Sequence, residues 1–308
     1  MIVGSIHQSD HILRPVVTIG IFDGVHTGHR FILDQLNRRA GEHGGESVVV
    51  TLWPHPHIVL GKDSTGFTLL HAMAEKVREL ERCGVDRLIV IPFDRQVAGL
   101  TACEFVQKFL VDKIGVEVLL MGHDNRFGSD RMGNPEGLAA CAAAGGFRIE
   151  KSPEFLRGEK RVSSTLIREF IAAGDLVRAE EMLGYQYYLA GIIMEGNHLG
   201  SKIGYPTANI HPRNPYKLIP MNGVYAIRAE LQGNQYRGML NIGFRPTIDS
   251  GSAVKTIEAH LFDLSGDFYG EEIVVHFIRR IRNEMKFSGL DELKLQLDKD
   301  KAIIQELF

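Results

Sequence analysis

Cysteine is scarce: three in 308 residues, Cys83, Cys103 and Cys141, odd in number and none in a C-x-x-C spacing. That spacing excludes a zinc or disulfide framework as the reading of choice; three small buried apolar side chains in a reducing compartment are expected. Long apolar runs are also missing. None approaches the ~20 residues a membrane span needs, and the first residues carry Asp10 and no basic segment leading into an apolar core. Neither a membrane nor a signal peptide is expected, which points to the cytoplasm. Charge of one sign is absent as well: 35 Lys and Arg face 38 Asp and Glu, a formal net charge of -3. Without a basic field, no nucleic-acid partner is expected, whereas small anionic ligands are compatible. There is no internal repeat or low-complexity tract, and nothing indicates an obligate protein partner. What is present is 44% hydrophobic and 24% charged, ordinary globular material with ample core, at a length that favours two domains.

The apolar period changes along the chain. Up to about Leu183, short apolar runs at 48–52, 88–91 and 116–121 read as strands between helices near 72–83 and 101–113. The continuous Val48, Val49 and Val50 suit a strand buried on both faces, and the alternation predicts a doubly wound parallel α/β sheet. After Gly184 the period is two. Tyr225, Ile227, Ala229 and Leu231 fall on one face, and Arg228 and Glu230 on the other. Further strand-like runs near 187–194, 236–243, 256–263 and 272–278, separated by Gly, Asn and Asp turns, predict a small antiparallel β-barrel. Leu293, Leu297, Ile304 and Leu307 return to a helical stripe, so one C-terminal helix is expected to cover the barrel. The domains expected are 1–183 and 184–308.

The string Gly20-Ile21-Phe22-Asp23-Gly24-Val25-His26-Thr27-Gly28-His29 follows an apolar run and precedes a pattern in which Ile32, Leu36 and Ala40 recur every fourth residue. It reads as strand, tight turn and helix start. Gly24 and Gly28 let the backbone approach a ligand, and His26 and His29, three apart, bring two imidazoles to a positive helix N-terminus, a geometry suited to polyphosphate. On these residues alone, a solvated or core histidine pair remains the alternative. Thr51-Leu52-Trp53-Pro54-His55-Pro56 reads as a rigid loop; His55 and His57 lack the third ligand a zinc site demands. Gly122 to Gly128, with Asp124, Asn125 and Arg126, offers acid, amide and guanidinium after another strand. Arg161, Ser164, Thr165 and Arg168 place hydroxyls and guanidinia at a helix N-terminus, where capping is the competing role.

In the second half, Gly196, Gly200, Lys202 and Gly204 precede Pro206-Thr207-Ala208-Asn209, a combination suited to wrapping phosphate and offering oxygen ligands to Mg2+. Glu258 and His260 share one strand face, where Glu258 can serve as a base or stand as a solvated carboxylate.

Taken in order, these strings resemble the prokaryotic-type bifunctional riboflavin kinase/FAD synthetase family over essentially the whole chain. The first half carries G-x-F-D-G-V-H-x-G-H, a form of the H-x-G-H signature of nucleotidyltransferases. The second carries Gly-Tyr-Pro-Thr-Ala-Asn at 204–209, Gly223-Val224-Tyr225, Asn241-Ile242-Gly243-Phe244-Arg245-Pro246-Thr247, Glu258-Ala259-His260 and Asp267-Phe268-Tyr269-Gly270. The resemblance implies a nucleotidyltransferase-like sheet followed by a riboflavin kinase-like barrel. It further implies phosphorylation of riboflavin to FMN and adenylylation of FMN to FAD, with ATP as co-substrate, Mg2+ as metal, and riboflavin, FMN and FAD as substrates or products. By that resemblance His26 and His29 stabilise the phosphates in adenylyl transfer, within a site including Gly20, Phe22, Asp23, Gly24 and Gly28. Asn125 would serve the nucleotide and Asp124 the flavin, while Arg161, Ser164, Thr165 and Arg168 complete a phosphate clamp. Likewise Thr207 and Asn209 coordinate Mg2+, Glu258 deprotonates the riboflavin 5'-hydroxyl, and Arg282 borders the flavin. One departure is Ser201, where the family usually has Arg, leaving Lys202 as the neighbouring phosphate contact beside Gly200.

Overall fold

The computed structural model describes residues 1–6, 11–61, 66–123, 126–157, 160–196, 200–246 and 253–308. The chain forms two compact units, Met1–Ser164 and Thr165–Phe308.

In the first unit, β1 (Ile2–Ser5), β2 (Val16–Ile19), α1 (Thr27–His43), β3 (Ser47–Trp53), α2 (Pro56–Leu60), α3 (Met73–Arg82) and β4 (Arg87–Pro92) follow in order. Then come α4 (Arg95–Gly99), α5 (Ala102–Phe105) running into a π-helical stretch (Val106–Ile114), β5 (Val118–Met121), α6 (Pro135–Gly145), β6 (Arg148–Lys151) and the short pair β7 (Leu156–Arg157) and β8 (Lys160–Arg161). The expected parallel sheet is present, six-stranded among the described residues, in the order β1-β4-β3-β2-β5-β6. Alternate residues of each central strand feed two separate cores: Val17, Ile19, Val48 and Val50 pack on one face, Val16 and Val49 on the other with Leu33, Leu36 and Ala40 of α1. Burial on both faces is why these strands read as unbroken apolar runs. Strand order reverses at β2, with β3 on one side and β5 on the other. The turn after β2 therefore leaves the sheet at its switch point, where open α/β sheets bind ligands.

The cysteine expectation is corrected. Cys103 of α5 and Cys141 of α6 form a disulfide, with Cα atoms 5.8 Å apart. Their 38-residue separation hid a pairing that only the packing of α5 against α6 creates. Cys83 remains a thiol, and burial raises its pKa.

Ser164 begins α7 (Ser164–Ala172), which continues with α8 (Leu176–Leu183) into the second unit. There the chain adds β9 (Tyr188–Met194), a 3-10 turn (Gly200–Ile203), β10 (Ala208–Pro212), β11 (Gly223–Leu231), β12 (Asn234–Pro246), β13 (Ala253–Leu261), β14 (Glu272–Arg282) and α9 (Leu290–Gln305). The six strands close into a barrel in the order β10-β13-β12-β11-β14-β9. Tyr225, Ile227, Ala229 and Leu231 are buried along β11, as their alternation predicts. The helix expected at the C-terminus covers one flank of the barrel: Ile304 packs with Tyr205, Ala226, Met239 and Phe262, and Leu297 and Leu307 border them.

Candidate functional site

In the first unit, the turn at 20–26 is held in costly backbone. Gly24 takes φ +85°, and Phe22 and Val25 take φ +50° and +35°, a region that a β-branched residue reaches only when its surroundings enforce it. The enforcement is visible. Asp23 is buried, and its carboxylate accepts hydrogen bonds from the backbone N–H groups of Leu70 and His71 at 3.1 and 3.0 Å. The Asp23 carbonyl accepts from the Ser164 hydroxyl at 2.8 Å. Arg30 donates to the Val25 carbonyl at 3.1 Å while pairing with buried Glu79 at 2.6 Å.

His26 caps α1, its Nδ1 accepting from the backbone N–H of His29 at 3.3 Å. The two imidazoles stack with centroids 3.6 Å apart, 14° from parallel, and the Phe22 ring meets His29 edge-on at 5.1 Å. Burial drives the pKa of His26 down to about 4. His29 is pushed well below the usual histidine value by burial, with further repulsion from His26, Lys76 and His71. Both rings are neutral at pH 7. Because Nδ1 of His26 accepts, its proton sits on Nε2, so the ring is a donor and not a cation. Gly20 lies at the exit of β2, and Gly28 lies in the first turn of α1 against the His26 ring.

Arg161 is exposed and bonded through Nε and Nη2 to Glu154 at 2.8 Å. Thr165 and Arg168 lie on α7 in the second unit. Asp124 and Asn125 lie outside the described residues. His55 caps α2, and His57 stacks on Phe67 at 4.3 Å. Sequence reasoning missed Lys76 and His71. Lys76 is 1% exposed and donates to the Ile21 carbonyl at 2.6 Å.

In the barrel, register assembles what the motifs list separately. Glu258 on β13 pairs across with Asn209 on β10 and with Asn241 on β12, so the carboxylate and two amides form one row across three strands. They line a cavity of about 310 Å³ with Gly200, Thr207, His260 and Arg282. Gly196 makes room beside Asn209: a Cβ there would stand 1.9 Å from its amide nitrogen. Gly204 takes φ +83°. Lys202 lies in the 3-10 turn, its side chain outside the described residues. Nδ1 of His260 donates to the Pro206 carbonyl at 2.7 Å, and burial lowers the ring's pKa. Arg282 is locked by Asp300 of α9, itself 0% exposed, through Nε at 2.9 and 3.0 Å and Nη2 at 2.7 Å. Asp300 was invisible in the sequence, where it belongs to a run of charged residues that reads as a solvated face.

Fold and sites together define a two-domain protein that joins a nucleotidyltransferase-like α/β sheet to a riboflavin kinase-like barrel. The FAD synthetase family model matches residues 9–166 and the riboflavin kinase model residues 183–308. The chain is 38% identical over 310 residues to a bifunctional riboflavin kinase/FMN adenylyltransferase of Haemophilus influenzae, covering 100% of this chain and 99% of the relative. It is 37% identical over 294 residues to the protein of the same description from Escherichia coli K12, covering 95% and 92%. A solved structure from Streptococcus pneumoniae, described as a macrolide-efflux protein, superposes with a TM-score of 0.88 at 31% identity, covering 99% of both chains. The chain belongs to the bifunctional riboflavin kinase/FMN adenylyltransferase family.

Proposed function

We propose that this chain makes FAD from riboflavin in two ATP-dependent steps, the first in the barrel and the second on the α/β sheet. It is an enzyme of flavin cofactor biosynthesis by its family and by both family models. The kinase step transfers the γ-phosphoryl group of ATP to the riboflavin 5'-hydroxyl. The adenylyltransferase step lets the FMN phosphate attack the α-phosphorus of a second ATP, releasing pyrophosphate. The observation that carries the reading is that each compact unit builds its own polar cluster, the stacked His26–His29 pair in one and the Asn209–Glu258–Asn241 row in the other. We assign residues 1–183 to adenylyl transfer and 184–308 to phosphorylation.

In the first site, two neutral imidazoles and the N-terminus of α1 supply N–H donors to phosphate oxygens as charge develops on them, a use of fixed dipoles that needs no covalent intermediate. Gly20, Phe22, Asp23, Gly24 and Gly28 shape the turn around the phosphates, with Ser164 tied to Asp23. Arg161, Thr165 and Arg168 are assigned to the phosphate clamp, Asn125 to the nucleotide and Asp124 to the flavin.

In the second site, Glu258 takes the proton from the 5'-hydroxyl. Arg282, fixed by Asp300, borders the flavin in the apolar end of the cavity, near Met285 and Phe287. Gly196, Gly200, Lys202 and Gly204 enclose phosphate. The hydroxyl of Thr207 and the amide oxygen of Asn209 are hard donors beside a carboxylate, a set that fits Mg2+, which keeps most of its ligands as water and phosphate. When bound, Mg2+ neutralises charge on the transferring phosphates.

No helix among the described residues is long and apolar enough to cross a membrane. The cytoplasm is the proposed compartment, now without support from the cysteines. The efflux description is not carried over, since both family models describe flavin enzymes. Incubation with riboflavin and Mg-ATP, with products separated by chromatography, should show FMN and then FAD. Accumulation of FMN alone would reduce the chain to a kinase, and neither product would overturn the reading.

A further inference from the structure

Helix α3 buries charge. Glu75, Lys76 and Glu79 are 3%, 1% and 0% exposed, and an ammonium taken out of water is costly unless partners replace the water. Glu79 is matched by Arg30 and Arg82, at 2.6 and 2.7 Å. The Glu75 carboxylate accepts from the backbone N–H of Ala72 at 2.8 Å. Lys76 faces the other way, toward the turn that follows β2. Its Nζ donates to the Ile21 carbonyl at 2.6 Å and stands 5.5 Å from the centre of the Trp53 ring. Ile21 opens the segment that carries the positive φ angles of Phe22 and Val25 and ends in the His26–His29 stack.

Both imidazoles are neutral, so no side chain of residues 20–29 itself carries positive charge toward a polyphosphate. Lys76 is the buried cation in electrostatic reach of both partners that matter: Asp23 stabilises its charge, and its charge acts on His29. We propose that Lys76 is a positioning residue for adenylyl transfer, holding the Ile21 carbonyl so that the 20–26 turn presents His26 and His29 to the phosphates, and adding a fixed positive potential beneath them. This rests on reading the first unit as the FMN adenylyltransferase.

The ammonium is also titratable within reach. Burial brings its pKa down to about 8, against the opposing pull of Asp23. Among the described residues, the ionisable groups on the neighbouring elements are Asp23 in the turn, His26 at the cap of α1 and His29 within it, His71 ahead of α3, and on α3 itself Glu75 and Glu79, the latter with Arg30. Of these, burial holds His26 and His29 neutral through pH 7 to 9.5, and the carboxylates are paired or hydrogen-bonded. An alkaline limb in FAD formation near pH 8 is therefore the signature of Lys76.

The test compares wild type, Lys76→Arg and Lys76→Met. FAD formation from FMN and Mg-ATP is followed between pH 6.5 and 9.5, and FMN formation from riboflavin serves as control in the same chain. The wild type should lose kcat above pH 8. Lys76→Arg should move that limb beyond the range, because a guanidinium stays protonated. Lys76→Met should lose roughly tenfold or more in kcat at pH 7.5, the scale set by removing a preorganised electrostatic group, with kinase activity unchanged. Ring 15N shifts of His29 in the wild type need no substitution and should follow a midpoint near pH 8. The proposal is overturned by a Lys76→Met enzyme that keeps half of wild-type FAD formation. It is equally overturned by an unmoved limb in Lys76→Arg, or by His29 shifts that stay flat from pH 7 to 9.5. A wild type that makes no FAD from FMN would instead overturn the adenylyltransferase reading, and the inference with it.

Discussion

Acid should destabilise the first unit through His26. In the fold its pKa is about 4, against an ordinary histidine value of 6.5, with burial as the leading cause. Between those two values the unfolded chain holds a proton that the folded chain refuses. Acidification through this window therefore favours unfolding, and stability rises again with pH up to about 6.5. From the two pKa values, linkage gives a loss of about 2 kcal/mol at pH 5 and about 3 kcal/mol at pH 4, from this one ring. Replacement by asparagine keeps a side-chain acceptor at the start of α1 and removes the titration. Trp53, the single tryptophan of the chain, ends β3 within the same unit, so urea unfolding read by its fluorescence reports on this region. The experiment compares wild type with His26→Asn at pH 7, 6, 5 and 4.5. Other groups titrate in both proteins and cancel in the difference. The variant should gain about 2 kcal/mol on the wild type between pH 7 and 5. Parallel losses in the two proteins would show that His26 takes its proton in the fold, and the account of a neutral donor pair would fail.

His29→Ala should lower FAD formation on the order of 100-fold and leave FMN formation near normal, as product chromatography would show. Glu258→Gln should lower kinase kcat by about 100- to 10,000-fold at saturating Mg-ATP and riboflavin, while FAD formation from supplied FMN survives; kinase kcat above half of normal would remove Glu258 as the base. A chain beginning at Thr165 should melt ~10 °C or more above one beginning at Gly184, because the longer one keeps Ile167, Ile171, Leu176 and Leu183 buried in the second unit. Glu180 has a pKa raised to about 7, chiefly by burial. Its stabilising proton is fully present below pH 4.5 and lost as pH rises through 7, so Glu180→Gln should raise the second unit's Tm at pH 8 and leave it unmoved at pH 4.5.

The class of each half was legible from local pattern alone. A period of two in β11 and unbroken apolar runs in β2 and β3 are local consequences of which faces are buried, and the G-x-F-D-G-V-H-x-G-H and Glu258-Ala259-His260 strings are local too. Strand β10 escaped notice because its Ala-Asn-Ile-His-Pro carries little apolar signal, and the edge strand β1 because it is short and largely exposed. The Cys103–Cys141 pairing depends on α5 meeting α6 across 38 residues, which no spacing rule reports. The same holds for Lys76 and Asp300. Each lies in a helix rich in charge, where the ordinary expectation is a solvated face, and each is buried because a partner from a distant segment, the Ile21 carbonyl or Arg282, replaces the water it gives up. Composition and period settle which segments are apolar. Which polar groups a fold can afford to bury is decided only when tertiary structure brings their partners within hydrogen-bonding distance.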